Sequence, residues 1–227
     1  MAPIHEAKRF TIYFYGSIVV VVWLAVVASN GELALPSWSV AFRGLTSGAL
    51  VAYLFSVSMD KWLWRAPFLQ KLFGIPDLSG RWEGWYWNTM GQVWLPNAHE
   101  IAQNSWRVSF HSWGPKNEST TVFATLLSDG HGKIELASIY TTKAISGTAE
   151  AHMGASNLSL SRTANEVRLL GTYWTNGKRD DGTQGKYGYI RLVKARKEKQ
   201  NMTGLSFIET DWAMSMPGEA PEPLRAQ

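Results

Sequence analysis

Two apolar stretches, Phe10 to Ser29 and about Val40 to Met59, open this chain. Each holds about 20 residues, and at 1.5 Å of rise per helical residue that length matches a hydrocarbon core roughly 30 Å thick. The first stretch carries no charge, and Tyr13, Tyr15 and Trp23 supply rings suited to an interface or to packing. A cleaved signal peptide is the rival reading, but the run exceeds the ~7–15 apolar residues of such a peptide and a second run follows closely. The pattern predicts a transmembrane hairpin.

Flanking cations orient it. Lys8 and Arg9 precede the first helix, Lys61, Arg65 and Lys71 follow the second, and the connection Asn30 to Ser37 carries only Glu32. By the positive-inside rule both termini are cytoplasmic. Gly31 and Pro36 stop one helix and start the next. The absence of cysteine agrees with a reducing compartment.

Residues 1–75 thus read as hairpin plus a membrane-proximal linker rich in aromatic and basic side chains, entered at Asp60 and closed at Pro76-Asp77. Beyond Leu78 the helical period vanishes, and short runs of Val, Ile, Thr and aromatics alternate with turn residues. Strands are predicted near 80–88, 98–112, 119–128, 132–142, 149–161, 166–175 and 185–194. Consecutive strands with short connections and no intervening helix make an antiparallel, up-and-down barrel of seven or eight strands over residues 76–194. An eighth strand would come from Gln92 to Leu95, splitting the region before Pro96, or from Leu205 to Thr210. Residues 195–227, with the charge run Arg196 to Lys199 and a Pro-rich end, read as a largely disordered tail.

Charge excludes one partner class. Lysine plus arginine exceed aspartate plus glutamate by 6 to 3 in residues 1–75 and by only 12 to 10 in 76–194. Counterion-release binding to DNA or RNA needs many cations on one face, and no such stripe exists here. Enzyme signatures are equally scarce. The sequence has no His-x-x-x-His or Cys-x-x-Cys metal spacing, no Gly-x-Ser-x-Gly elbow and no Gly-rich phosphate loop before a helix. His99 with Glu100, or His111 and His131 near Ser and Asp, make acid–base pairs only on paper. A non-enzymatic protein without cofactor or metal is the expectation, with His152 an interior hydrogen-bonding residue.

Alternation along the strands sorts the barrel faces. In the first strand Trp82, Gly84, Tyr86 and Asn88 share the inner face, and Arg81, Glu83, Trp85 and Trp87 the outer. The Gly-x-Trp at Gly80 to Trp82 resembles the opening of lipocalin-like barrels, whose Trp plugs the closed end. Leu169, Gly171, Tyr173 and Thr175, then Lys186, Gly188, Ile190 and Leu192, form the corresponding inner sets. Small glycines beside inward aromatics suggest a cavity.

The whole arrangement resembles the two-transmembrane β-barrel effectors of bacterial cyclic-oligonucleotide anti-phage signalling, the CBASS systems. The resemblance spans roughly residues 10–194. It rests on the hairpin, on Asp77-Leu-Ser-Gly-Arg-Trp-Glu-Gly84, on Ile101-Ala-Gln-Asn-Ser-Trp106, on His152-Met-Gly154, and on Leu170-Gly-Thr-Tyr-Trp174 followed by Gly188-Tyr-Ile-Arg-Leu192. It implies a cytosolic barrel that binds a cyclic dinucleotide, assembles with copies of itself and disrupts the inner membrane. The tail after Ala195 and the high Trp content depart from that pattern.

Such a ligand offers two bases that want aromatic or guanidinium faces and two phosphodiesters that want cations and neutral donors. Tyr86, Trp106, Tyr140 and Tyr173 are the candidate stacking rings. Arg179 and Lys186 are candidate phosphate donors, with Asn88, Thr175 and Thr183 as neutral partners. In the second helix Gly44, Gly48, Ala52 and Ser56 recur every four residues, a small-residue stripe that packs either within the hairpin or between subunits. Two alternatives stand beside this reading: a membrane-anchored lipocalin-like module for a lipid or other apolar ligand, and a partner-binding domain with a filled core.

Overall fold

The computed structural model describes residues 2–3, 14–25, 38–89, 92–105, 107–129, 132–144, 151–163, 166–178, 184–195 and 217–218. The chain divides into two compact units, a helical one over Pro3–Pro76 with Asn104–Trp106, and a β unit made chiefly of Asp77–Gln103 and the chain from Arg107 onward. In the helical unit, residues 14–25 form α1 and Trp38–Lys61 form α2; a 3-10 turn, Leu63–Arg65, and α3, Pro67–Phe73, follow. Proline at the first position starts α3, where its missing N–H is not needed. Gly74, at φ 64°, ends it by returning its N–H to the Gln70 carbonyl.

Helices therefore occupy both apolar stretches, and they pack on each other. Phe14 and Tyr15 lie 5.7 and 5.6 Å from Phe55, centroid to centroid, and a Cβ built on Gly48 would touch Val19. Ser56 shares a side-chain hydrogen bond with Tyr15. Two positions of the small-residue stripe thus face α1 of the same chain. Among the described residues no helix is long and apolar enough to cross a membrane.

The β unit is a closed, antiparallel, up-and-down barrel of eight strands. In chain order these are β1 Gly80–Asn88, β2 Val93–Gln103, β3 Val108–Trp113, β4 Asn117–Ser128, β5 Ile134–Ala144, β6 His152–Arg162, β7 Val167–Lys178 and β8 Gln184–Lys194. Each pairs with the next, and β8 closes on β1 from Trp82↔Lys194 to Tyr86↔Ile190.

The eighth strand does not come from Gln92 to Leu95, and Leu205 to Thr210 lie outside the described residues. The predicted single strand 98–112 is two strands, broken between Gln103 and Val108, while Gln92 to Leu95 does not form a strand of its own. Instead β2 runs through Pro96 without interruption. That is possible because β3 pairs with β2 only from Ala98 to Gln103, so the Val93–Asn97 stretch lacks a neighbour on that side. A residue with no N–H costs least at such an edge.

One end of the barrel is filled. Trp82, Leu158, Leu169 and Leu192 are wholly buried, with Leu78, Leu136 and Ile101 nearly so. Burying one such aliphatic side chain contributes about 1.5–3 kcal/mol. The Trp82 indole N–H donates to the Leu78 carbonyl at 2.7 Å, and the Leu78 N–H donates to Gln103 Oε1 at 2.8 Å, so the plug buries its polar atoms already paired.

The glycines serve a purpose other than opening space. A Cβ at Gly84 would fall on the Arg191 carbonyl, and one at Gly171 on the Asn157 carbonyl; both glycines let neighbouring strands approach closely. Gly154 and Gly188 make room for the rings of Tyr140 and Tyr173. The inner glycines are therefore occupied by backbone or aromatic rings, contrary to the expectation that they leave the cavity.

Candidate ligand-binding site

Above the plug the interior is open. A cavity of about 510 Å³ lies between the inner faces of the strands, within the ~300–1,000 Å³ range typical of small-molecule sites. Its aromatic lining comes from Tyr86 on β1, Phe110 on β3, Tyr140 on β5 and Tyr173 on β7. Tyr86 and Tyr173 meet edge to face at 6.0 Å, and Phe110 tilts on Tyr140 at 6.1 Å. Tyr173 is held by its hydroxyl, which donates to the Trp87 carbonyl at 3.0 Å, and Tyr140 reaches the Trp174 carbonyl at 3.4 Å. Burial pushes the Tyr86 phenol up to about 12 and raises Tyr140 and Tyr173 as well, the last reinforced by the two neighbouring phenols. All three are therefore neutral donors at physiological pH.

Between the rings the wall is polar and uncharged. Ser119 and Thr142 face each other across β4 and β5 with their hydroxyls 2.8 Å apart, and the Thr175 hydroxyl donates to the Met153 carbonyl at 3.1 Å. Each hydroxyl retains acceptor capacity for a guest. Asn88, Asn97 and Asn117 add amides, and Ser112 and Ser156 further hydroxyls. Among the described lining residues no carboxylate occurs, and Lys116, in the β3–β4 turn, is the one lysine or arginine.

His99 is the exception to this satisfied wall. It is 3% exposed, its Nε2 lies 3.0 Å from Asn97 Nδ2, and its Nδ1 has no hydrogen-bond partner. Its ring tilts on Phe110 at 5.0 Å, and burial lowers its pKa to about 3. It faces Trp82 on one side and Ser112 on the other in strand register, so it stands at the floor of the cavity, directly above the plug.

The structure brings together Tyr86, Asn88, Tyr140, Tyr173 and Thr175, all of which line the cavity. Trp106, Arg179 and Thr183 lie outside the described residues, and Lys186 is placed only as a β8 backbone position opposite Thr175. His152 also lines the cavity. His99 and Glu100 occupy successive positions of β2 and so point to opposite faces. His111 instead stacks on Trp113 at 4.4 Å, with Glu118 3.5 Å from its Nε2.

Asn97, His99, Phe110 and Ser112 were not legible in the sequence as site residues. Alternation assigns no inner face to the predicted strand 98–112, whereas the structure ends β2 at Gln103 and buries Val108, Phe110 and Ser112 on β3. Among the described residues no cluster of three His, Asp or Glu could hold a metal ion. No protein-family model, no curated protein and no solved structure matches this chain.

Proposed function

We propose that this chain is a receptor for a cyclic dinucleotide, held at a bacterial inner membrane by the hairpin of residues 10–59 with both termini cytoplasmic. Ligand binding would drive assembly with further copies and disruption of that membrane in anti-phage defence. The observation that supports the ligand class is the composition of the cavity: aromatic rings on four strands, separated by hydroxyls and amides, with Lys116 at its rim. Bases stack on such rings, and a phosphodiester takes one cation and several neutral donors. An acyl chain finds no continuous apolar wall there, which disfavours the lipid-binding alternative. The order of motifs behind an apolar hairpin, similar to that of CBASS effectors, supports the membrane and assembly parts of the reading.

The test uses the full chain in detergent, titrated calorimetrically with cyclic di-AMP, cyclic di-GMP, cyclic GMP–AMP and cyclic di-UMP, and in parallel with palmitate. At least one cyclic dinucleotide should bind with micromolar or tighter affinity, and the Lys116→Ala variant should bind it about tenfold more weakly. Binding of palmitate alone would instead support the lipid module, and binding of none of these a filled-core partner domain. Dye leakage from proteoliposomes that depends on the same nucleotide tests the membrane step.

A further inference from the structure

The outer face of the barrel carries an apolar band that the cavity does not use. Phe123 on β4, Ile139 on β5, Ala155 on β6, Trp174 on β7 and Tyr187 on β8 stand opposite one another in unbroken register, so their side chains line up across five strands. The four large ones are each 40% exposed or more, and Val122 and Met153, as exposed as they, widen the band. The register irregularity between Thr121 and Phe123 leaves both Val122 and Phe123 outside, where alternation would send one of them inward. At these exposures the six large side chains present roughly 500 Å² of apolar surface, as much as a monomeric protein keeps in one patch and most of the ~800 Å² that one side of a standard interface buries.

The surroundings narrow what covers the band. The next outer row toward the plug is Thr125, Ala137, Asn157, Thr172 and Tyr189, and the next toward the open end includes Thr120, Thr141 and Met153. Among the described residues these three rows hold no charge; on β4 and β5 the first charged positions, Glu135 on one side and the facing pair Glu118 and Lys143 on the other, come one row further out. A nucleic acid or an anionic lipid surface calls for cations. A second copy of the chain calls for none, and an uncharged face meets itself without setting like charges together. Shape then selects the pairing. Ala155 makes a dip between Ile139 and Trp174, so a two-fold axis running along the strands over Ala155 sets Trp174 of one copy against Ile139 of the other, and Phe123 against Tyr187. An axis running across the strands would instead press each bulky ring onto its own image.

We infer that this band is the surface through which two copies of the chain pair by their barrels, about a two-fold axis parallel to the strands. The inference deepens the assembly part of the proposed function and rests on it only for the shared membrane; the cavity and its ligand do not enter. That axis keeps the end of each barrel where Asp77 and Leu78 lead into β1 on the same side, as two chains held in one membrane require. Because each copy spends the same face on the other, pairing closes at two, and any larger assembly must use other surfaces.

The sequence has no cysteine, so a single introduced thiol reports alone. Full-length Ala155→Cys and, as control, Ser109→Cys on the exposed outer face of β3 are reconstituted in liposomes at low protein density. Each is treated with a short bismaleimide able to cross the ~10 Å between packed sheets. Ala155→Cys should link into dimers with or without cyclic dinucleotide, and Ser109→Cys should remain monomeric. Adding Trp174→Asp to Ala155→Cys should cut the dimer yield about tenfold, the effect of losing a central aromatic anchor. Should that variant not fold, as judged by its melting curve, Ile139→Lys makes the same test. Equal linking at both positions, or none at Ala155→Cys, overturns the inference, and nucleotide-dependent dye leakage in the same liposomes would leave the receptor reading intact. Dimers linked only at Ala155→Cys in a protein that binds no nucleotide uphold the inference while the receptor reading fails. Quenching of a bimane on the Ala155→Cys thiol by doxyl-labelled acyl chains would put lipid on the band and overturn the pairing.

Discussion

Trp82 and His99 are neighbours across β1 and β2, and their chemistry divides the barrel interior into a part that stores stability and a part that gives some up. Trp82 is wholly buried with its indole N–H paired, so truncation both empties a large volume and orphans the Leu78 carbonyl. Trp82→Ala should lower stability by about 3–5 kcal/mol in denaturant unfolding, and its cost should appear without ligand. His99 makes a prediction of the opposite kind. Its folded-state pKa, about 3, lies below the unfolded value of 6.5 because burial disfavours the charged ring, so the unfolded chain takes up the proton first. The neutral ring's contribution is complete above pH 6.5 and is lost as pH falls toward 3, at about 1.4 kcal/mol per pH unit. Melting curves between pH 7 and pH 4.5 should therefore show a loss in wild type that is shallower in His99→Phe. Equal slopes would place the acid sensitivity on other groups.

At the scale of elements, the barrel was legible where alternation held and illegible where a turn lacked its usual residues. β1, β7 and β8 carry inward sets that the sequence already separates, and Tyr86, Asn88, Tyr173 and Thr175 follow from them. The sequence between β2 and β3, Asn104 to Arg107, has no glycine or proline to mark a turn, so two strands read as one. The cavity itself was anticipated for a reason that does not hold, since the glycines thought to open it are filled by rings or by neighbouring backbone. That difference has a measurable form. Gly171→Ala would drive a methyl group into the Asn157 carbonyl and should destabilise by about 1–3 kcal/mol or more. Gly132→Ala, where φ is 94° but nothing lies within 4 Å, meets only backbone strain and should cost less, about 1–2 kcal/mol. Chemical denaturation of the two variants side by side distinguishes crowding from conformational strain.

For the molecule as a whole, the helical unit and the barrel carry different parts of the proposal. Gly48 and Ser56 already contact α1, so the stripe holds the hairpin together before it can serve any contact between copies. Gly48→Leu should therefore impair helix pairing in the absence of nucleotide, lowering helical content or the recovery of full-length protein from membranes, while nucleotide affinity of the recovered protein stays unchanged. A variant of normal helicity and recovery that fails only to assemble would place the stripe between subunits instead. The barrel should respond to the ligand by mass action. At a free nucleotide concentration 100 times Kd, unfolding should become harder by about 2.7 kcal/mol, and the melting temperature should climb with concentration without a plateau.

The interrupted pairing of β2 has a kinetic meaning. From Val93 to Asn97 that strand is bonded to β1 alone, because β3 ends at Trp113 opposite Ala98 and the chain turns back at Gly114 to Asn117. Val93, Leu95 and Asn97 line the cavity along one side of this seam, and Pro115, Lys116 and Asn117 along the other. The two sides can part by motion of one short turn, with the closed ladder of the other strands left whole. A guest passing between these two sides would wait on the motion of a loop, about nanoseconds to microseconds, rather than on sheet opening. Under the proposed receptor function, a door of this kind would leave residence time to be set by contacts with the guest rather than by opening of the barrel.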